Sequence, residues 1–262
     1  MLRRVSHGLC LWLAMLAGQA LAADGPDCSR PYTLALHDHG LLYDSQTGEG
    51  IDRDMAEALA RRSGCKINTT LMPRSRIWQL IESGGLDFSL SGIRNEARDG
   101  FASFAWYFSN KYYLLVRKDA GVQTLADFDR NPALKLGVIR SFRYNPTANR
   151  LVDRLDSQGR VSHASTLAAL YQVLLDNRLQ AMIIEPFDYP ALENARIREQ
   201  TMVLEFDDPP VPHGLIMSRK ALPPAQQQAW RALVDAMRAD GTVTRIFEKY
   251  FKPELARQLT QF

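Results

Sequence analysis

Hydrophobic and polar positions alternate along this chain with two spacings, one typical of short buried strands and one typical of amphipathic helices. Residues 32–36 form a short β-prone run, and from residue 50 apolar positions recur at helical spacing until Gly64 ends the segment. The first half continues with a strand at 67–71, a helix at 75–82 and a strand at 87–91. Strands and helices that alternate at these lengths predict a parallel sheet with crossover helices.

The same alternation returns in the second half of the chain. The predicted elements are a strand at 112–116, a short helix at 125–128, a strand at 135–139, helices at 145–155 and 166–176, and a buried strand at 181–184. These elements predict a second α/β unit, joined to the first by two extended links, 111–118 and 206–218. Because a chain that leaves one lobe and later returns crosses between the lobes twice, the paired links predict a hinge.

The first 22 residues have the three regions of a secretory leader. Arg3 and Arg4 precede an apolar run at 9–16, and small residues follow up to Ala22, after which cleavage is predicted. The apolar run is shorter than the roughly 20 residues that span a bilayer. Cys10 lies inside this run and not at a lipid-processing site. The mature chain is therefore expected to be soluble and released into the periplasm.

The charge balance excludes one class of binding partner. Removing Arg3 and Arg4 from the 32 basic residues leaves 30 against 29 acidic ones, and both signs are mixed along the chain. A nucleic-acid binder should show a clustered basic face, so this class is set aside.

Cys28 and Cys65 remain after cleavage, and we expect them to form a disulfide in an oxidising compartment. Two free buried thiols are the alternative, and a metal site built from these two cysteines is weaker still.

Four short segments are informative together because of their order and intervals. They are Gly50-Ile51-Asp52-Arg53-Asp54-Met55, Ile81-Glu82-Ser83-Gly84-Gly85-Leu86-Asp87, Glu96-Ala97-Arg98 with Phe104 six residues on, and Ala239-Asp240-Gly241-Thr242 ahead of residues 246–251. With them the chain resembles the extracellular solute-binding proteins of family 3, the amino-acid-type receptors of ABC importers.

The resemblance implies an α/β protein with two type II periplasmic-binding-protein lobes, in which mostly parallel sheets are flanked by helices and two hinge strands join the lobes. The first lobe would be discontinuous, 23–113 and 213–262, and the second would be 114–212. The implied function is to capture a small polar solute, amino-acid-like or carboxylate, by hinge closure and to deliver it to the membrane permease of an ABC transporter. A monomer without a cofactor is expected.

The resemblance singles out two charged residues, one in each lobe. Arg98 lies where the family has an arginine that grips the ligand's carboxylate, and a planar guanidinium fits that group bidentately. Glu185 follows the buried strand at 181–184, where the family commonly places an aspartate that receives the ligand's ammonium. An ion pair between Glu185 and a neighbouring arginine is the alternative. A solute with both charges would contact both lobes and favour the closed state.

The segment before Arg98 departs from the family pattern. The family usually has a threonine two or three residues ahead of the arginine, whereas here the stretch that starts with Ser91 and Gly92 is about one residue shorter. Arg94 or Asn95 is expected to supply the missing contact, and an additional cation would favour a more acidic ligand.

The remaining candidates follow predicted strands or begin predicted helices. They are His37 and Tyr43 after the first strand, Arg74 or Arg76 at the second helix, and Ser141 and Arg143 after the strand at 135–139. Of Arg74 and Arg76, one is expected to face the ligand, and Arg76 is the residue we selected. His37 and His39 invite a metal hypothesis, but no further His or Cys cluster completes a ligand set, so no metal is predicted.

An enzyme is the alternative class of protein. A few proteins of this fold resemble receptors but act as periplasmic dehydratases on cyclic acids, with a carboxylic acid as proton donor, and Glu185 is the candidate for that role. No nucleophile and base pair, zinc motif or phosphate loop occurs at a recognisable spacing. The sequence therefore favours a binding protein, which would give no product from prephenate or arogenate.

Overall fold

A computed structural model describes residues 25–262, so the predicted leader and its cleavage site after Ala22 lie outside the described residues. The strands are β1 Tyr32–Leu36, β2 Ile67–Leu71, β3 Phe88–Gly92, β4 Ala102–Asn110, β5 Tyr113–Arg117, β6 Leu136–Ile139, β7 Val161–Ala164, β8 Ala181–Ile184, β9 Thr201–Glu205 and β10 Val211–Ser218. The helices are α1 Ile51–Ser63, α2 Arg74–Ser83, α3 Glu96–Asp99, α4 Leu125–Arg130, α5 Pro146–Ser157, α6 Leu167–Leu175, α7 Tyr189–Leu192, α8 Ala195–Gln200, α9 Pro224–Ala239, α10 Thr242–Phe247 and α11 Pro253–Thr260. None of the helices in this part of the chain combines the length and the hydropathy of a membrane span.

The strands form two five-stranded sheets with the same arrangement. The orders are β2-β1-β3-β10-β4 and β7-β6-β8-β5-β9. In each sheet the first three strands pair in parallel, and the next two pairings are antiparallel. The predicted two-lobe α/β fold is confirmed. We call the lobe built on the first sheet the first lobe and the other the second lobe.

The chain crosses between the two sheets over shorter stretches than the sequence suggested. It leaves the first sheet at residues 111–112, between β4 and β5, and returns at 206–210, between β9 and β10. Most of the two predicted links therefore consists of sheet strands, and the predicted lobe boundaries at 113/114 and 212/213 fall inside β5 and β10. The reason is that an extended segment has the same sequence pattern whether it pairs in a sheet or connects two lobes.

Glycines end the first two helices where the apolar periodicity stops. Gly64 and Gly84 follow α1 and α2 with φ of 73° and 79°, a left-handed conformation that glycine adopts without steric cost. Both helices thus end in time for the chain to enter β2 and β3. As a result, β1 and β3 deliver their carboxyl ends to one edge of the first sheet.

Phe187, which follows β8 of the second lobe, is buried in the core of the first lobe. Its ring lies 5.1 Å from that of Phe108 and 5.6 Å from that of Phe251, measured between centroids. The Phe187 carbonyl also accepts a hydrogen bond of 2.9 Å from the Leu41 amide. The segment after β8 therefore joins the two lobes through both apolar packing and main-chain bonding.

Cys28 and Cys65 form a disulfide, as predicted. They precede β1 and β2, which are parallel neighbours, so the two chain entries meet at one end of the sheet. The bridge ties the first described residues of the chain to the start of β2.

We expect reduction of this disulfide to destabilise the protein by about 2–4 kcal/mol, because the bridge closes a loop with a sequence separation of 37 and so restricts the unfolded chain. Urea unfolding with and without a reductant measures the effect. A Cys28→Ser, Cys65→Ser double variant should match the reduced protein and should not respond to the reductant. An equal response of the double variant would show that the reductant acts elsewhere.

Candidate functional site

A small cavity lies between the lobes, where the carboxyl ends of four strands face one another. His37 follows β1, Ser91 lies in β3, Phe142 follows β6 and Glu185 follows β8. The cavity measures about 20 Å³, room for about one water molecule. Its lining residues are His37, Leu42, Arg74, Ser91, Ile93, Arg98, Tyr112, Phe142, Arg143, Glu185 and His213. We call this the central cavity.

Arg98 is buried and bridges the lobes without a carboxylate partner. Its guanidinium donates to the Ile93 carbonyl at 2.9 Å in its own lobe and to the Ser141 carbonyl at 2.8 Å in the second lobe. It also stacks 3.9 Å from the centroid of the Trp78 ring. Burial, with a smaller contribution from the charge of Arg74, lowers the pKa of Arg98 to about 9, so the group is still charged at neutral pH. A buried guanidinium bonded to neutral carbonyls can accept an anion.

Arg74 is a second buried guanidinium on the same wall. It donates to the carbonyls of Leu90 at 3.0 Å and Ser91 at 2.8 Å. Its central carbon lies 5.4 Å from the Trp78 ring centroid, so Arg74 and Arg98 share one indole. Burial lowers the pKa of Arg74, and the charge of Asp52 offsets part of this shift from a distance without bonding to it.

Glu185 is held by partners on both carboxylate oxygens. His39 Nε2 lies 2.7 Å from one oxygen, and the Asn110 amide donates to the other at 2.9 Å. Burial raises the pKa of Glu185, but the hydrogen bond and charge of His39 lower it more, so the net pKa lies below its ordinary value. Glu185 is therefore a carboxylate at neutral pH, paired with a histidine and not with the arginine considered from the sequence.

Two further histidines line the central cavity in different ways. His213 lies 2.7 Å from the Tyr112 hydroxyl, and burial lowers its pKa to about 4. His37 is buried, and neither of its ring nitrogens has a hydrogen-bond partner within residues 25–262. Burial and the charge of Arg74 lower the pKa of His37 well below its ordinary value, so its ring is neutral. A neutral imidazole without partners can offer one donor and one acceptor to a solute.

Left-handed backbone occurs beside the central cavity at one residue of each lobe. Ser91 at the end of β3 has φ of 52°, and Ser141 just after β6 has φ of 64°. Such a conformation is uncommon for residues other than glycine, and it is retained where the surroundings fix it. Ser91 is fixed by its hydroxyl, which donates to Asp52 at 2.5 Å, and by its amide, which donates to Tyr107 at 2.9 Å. The turn at Ser141 points a carbonyl at Arg98.

The structure brings five of the residues selected from the sequence to the central cavity: His37, Ser91, Arg98, Arg143 and Glu185. Arg143 also bonds Asp153 at 2.9 Å and is only partly buried. Ser141 contributes its carbonyl, as described above. Whether these residues bind a solute stays a prediction.

The other selected residues lie outside the lining. Arg94 is exposed and pairs with Asp99 at 2.6 Å, and Asn95 caps α3 by accepting from the Arg98 amide. Arg76 is exposed, whereas its alternative, Arg74, lines the cavity.

Gly92 and Tyr43 have local roles instead. A side chain at Gly92 would meet Ile216 at 2.2 Å, and the Tyr43 carbonyl accepts from the His39 amide at 2.8 Å. Both positions therefore shape the strand end and the loop beside the central cavity.

Sequence reasoning missed five lining residues: Leu42, Ile93, Tyr112, Phe142 and His213. Tyr112 lies at the first chain crossing and His213 lies in β10 just after the second, and both fall within the predicted links, to which the sequence assigns only a hinge. A polar aromatic residue in each predicted link is the available signal, because links between lobes border the cleft that they span.

A larger cavity of about 490 Å³ opens to solvent beside His39. Carboxylates rim it, but Asp38 and Asp44 accept amide bonds within their own loop. No cluster of three or more His, Cys, Asp or Glu side chains suited to a metal ion occurs within the described residues. The two buried guanidiniums, Arg74 and Arg98, line the central cavity and are absent from the lining of this larger one.

We expect the bond between His39 and Glu185 to stabilise the protein more at pH 5.5 than at pH 8.5. Burial lowers the pKa of His39, but the bond to Glu185 and the charges of Asp188 and Glu185 raise it more, so its net pKa is raised. A raised histidine pKa contributes stability below the unfolded pKa, and this is lost as the pH rises through the folded pKa. Because Glu185 has a lowered pKa, its own contribution is lost only on further acidification.

The measurement is the unfolding free energy of the protein minus that of His39→Gln at the two pH values. We expect this difference to be larger at pH 5.5 by about 1–3 kcal/mol, the size of a hydrogen bond to a charged group. Val203→Ala, on the exposed edge strand of the second sheet, provides a control, because it changes no titratable group and should give nearly the same difference at both pH values. A His39 difference that does not vary with pH would contradict the assignment.

Two α/β lobes joined by two chain crossings, with charged, buried side chains between them, are the architecture of a two-lobe solute-binding protein. The family model of the bacterial extracellular solute-binding proteins, family 3, matches residues 38–253. This chain belongs to that family. The expectation from the sequence is thereby confirmed, and the alternative of an enzyme is not favoured.

Solved structures share the fold at low sequence identity. An ancestral arginine-binding protein bound to arginine is 19% identical and has a TM-score of 0.70, with 86% of this chain and 100% of that chain covered. An amino acid ABC transporter substrate-binding protein from Streptococcus pneumoniae bound to L-arginine is 18% identical, with a TM-score of 0.69 and coverage of 85% and 95%. The arginine-, lysine-, histidine-binding protein from Geobacillus stearothermophilus is 16% identical, with a TM-score of 0.69 and coverage of 87% and 100%. A comparison with curated proteins finds no match.

Proposed function

We propose that this chain is the periplasmic solute receptor of an ABC importer and that it captures a small amino-acid-like or carboxylate solute between its lobes. The observation that carries the proposal is Arg98, a buried guanidinium that bonds neutral carbonyls of both lobes. An anionic solute group would replace the Ser141 carbonyl as the acceptor. Charge-assisted hydrogen bonds are roughly twice as strong as neutral ones, so the exchange favours binding.

Closure of the lobes couples capture to delivery. The central cavity has room for about one water molecule, so a solute enters only when the lobes move apart. Once Arg98 of the first lobe and the turn at Ser141 of the second lobe both contact the solute, the closed state gains free energy that the open state lacks. A permease that recognises the closed state would then receive only loaded receptor. The fold neighbours that bind amino acids support this assignment.

Glu185 could receive an ammonium group of the solute from the cavity side. To do so it would exchange the Asn110 amide for the new donor and keep His39. The lowered pKa of Glu185 suits this role and opposes that of a proton donor, which must hold a proton at the working pH. This argues further against a dehydratase.

The proposed receptor is a monomer whose leader is removed after Ala22.

Solute capture is tested by a thermal-shift screen of the mature protein against amino acids, small peptides and carboxylates, since a solute that binds the folded form raises its melting temperature. We expect selective shifts with solutes that carry a carboxylate. A protein whose melting temperature responds to none of them would contradict the proposal.

A further inference from the structure

The central cavity holds two buried guanidiniums on one wall, and neither has a carboxylate bonded to it. Arg74 and Arg98 are each 7% exposed and lie on the same Trp78 ring. Their hydrogen-bond acceptors are main-chain carbonyls and the Ser89 hydroxyl. Neutral acceptors satisfy the N–H groups but do not neutralise the charge, and buried like charges repel. The charge of Arg74 accordingly lowers the pKa of Arg98.

The carboxylates near this wall are bonded to other groups. Glu185 is held by His39 and Asn110, as described above. Asp52 accepts from the Ser91 and Tyr107 hydroxyls behind the cavity and is absent from its lining. Asp52 and Glu185 attract Arg74 only at longer range. Within the described residues, the acceptor that would pair directly with the two guanidiniums is therefore missing from the protein and must come from the solute.

His37 adds a hydrogen-bonding group to the same space. It lines the cavity beside Arg74 and is 4% exposed, and both of its ring nitrogens are without partners in residues 25–262. A buried polar side chain normally has a partner, and one that faces a cavity indicates a ligand group opposite it. Since the ring is neutral, it can donate to an oxygen of the solute.

We infer that the preferred solute is a small dianion, with one carboxylate on Arg98 and a second carboxylate on Arg74, supported by His37. This rests on the proposed function and specifies its substrate class. The extra cation that the sequence suggested near Arg94 is supplied by Arg74 instead. An ammonium group is tolerated beside Glu185, but it contributes less than the second carboxylate because Glu185 already has two partners.

Calorimetric titration with three five-carbon solutes tests the inference. Glutarate has two carboxylates, L-glutamate has two carboxylates and an ammonium, and L-glutamine retains the ammonium but lacks the second negative charge. We expect glutarate and L-glutamate to bind at least about tenfold more tightly than L-glutamine, since loss of one charged partner inside a buried site is costly. Binding of L-glutamine as tight as that of glutarate, or no binding of either dianion at about 10 mM, overturns the inference.

An Arg74→Gln variant tests whether Arg74 is the residue that binds the second carboxylate of the solute. We expect it to weaken glutarate by at least about tenfold while changing the affinity for L-glutamine by less than about threefold. Arg257→Gln, an exposed arginine on α11, is the matched control and should change neither. If the Arg74 variant does not fold, the comparison of the three solutes on the unaltered protein still decides. If the protein binds L-glutamine but neither dianion, the preference for a dianion is overturned and the proposed function of solute capture stands. If it binds no carboxylate solute at all, both the preference and the proposed function are overturned.

Discussion

Replacing Arg98 with glutamine is expected to weaken solute binding by about 100-fold or more while the protein remains folded. Glutamine can keep one hydrogen bond to the Ile93 carbonyl, but it removes the positive charge that the solute's carboxylate requires. It also ends the contact with the Ser141 carbonyl, so the loss should appear in both the affinity and the closed state. Titration of the best solute measures the affinity, and circular dichroism confirms the fold.

The control for Arg98 is a surface arginine. Arg257→Gln also removes one positive charge, but on the exposed face of α11, which packs in the first lobe away from the central cavity. It should leave the affinity within about twofold, because isolated surface charges contribute little. If Arg98→Gln binds the solute as tightly as the unaltered protein does, Arg98 has no part in the site.

Replacing Phe187 with alanine is expected to destabilise the protein by about 3–5 kcal/mol, because the ring is fully buried and its removal leaves a cavity in the core of the first lobe. The ring contacts Phe108, Phe247 and Phe251, none of which belongs to the segment that carries it. The variant therefore also loosens the attachment of the second lobe to the first. Urea unfolding measures the loss of stability.

Val203 provides the comparison for Phe187. It lies on β9 at the edge of the second sheet and is 48% exposed, so Val203→Ala should change stability by less than about 0.5 kcal/mol. A Phe187 variant as stable as the Val203 variant would show that the segment after β8 does not hold the lobes together.

The sequence predicts most of the parallel half of each lobe, although β7 at the edge of the second sheet is not among the predicted strands. Residues 32–36, 67–71 and 181–184 were predicted with the bounds that β1, β2 and β8 have, because short apolar runs bounded by turns are typical of buried strands. The antiparallel half was harder to recognise. β4 and β9 are not among the predicted strands, and β10 is predicted only as part of a link. The predicted strand at 112–116 also lies within a predicted link. The pairing partners of these strands are distant along the chain and leave no local pattern.

The sequence predicts only part of the candidate site, because topology places some residues at the crevice and other contacts depend on the packing of distant segments. Arg98 and Glu185 follow strands, and a residue after a strand in an α/β fold faces the crevice by topology. The choice of Arg76 over Arg74 depended on the rotation of α2, which two neighbouring arginines at a helix start do not reveal. The pairing of Glu185 with His39 joins residues 146 apart in sequence, so it required the closed arrangement of both lobes.

The most direct test of the account is a crystal structure of the mature protein with its tightest-binding solute. The account predicts carboxylate oxygens of the solute within about 3 Å of the Arg98 guanidinium, in place of the Ser141 carbonyl, with the lobes closed around it. A bound solute elsewhere, with Arg98 still donating to Ser141 and with Glu185 turned away, would contradict it.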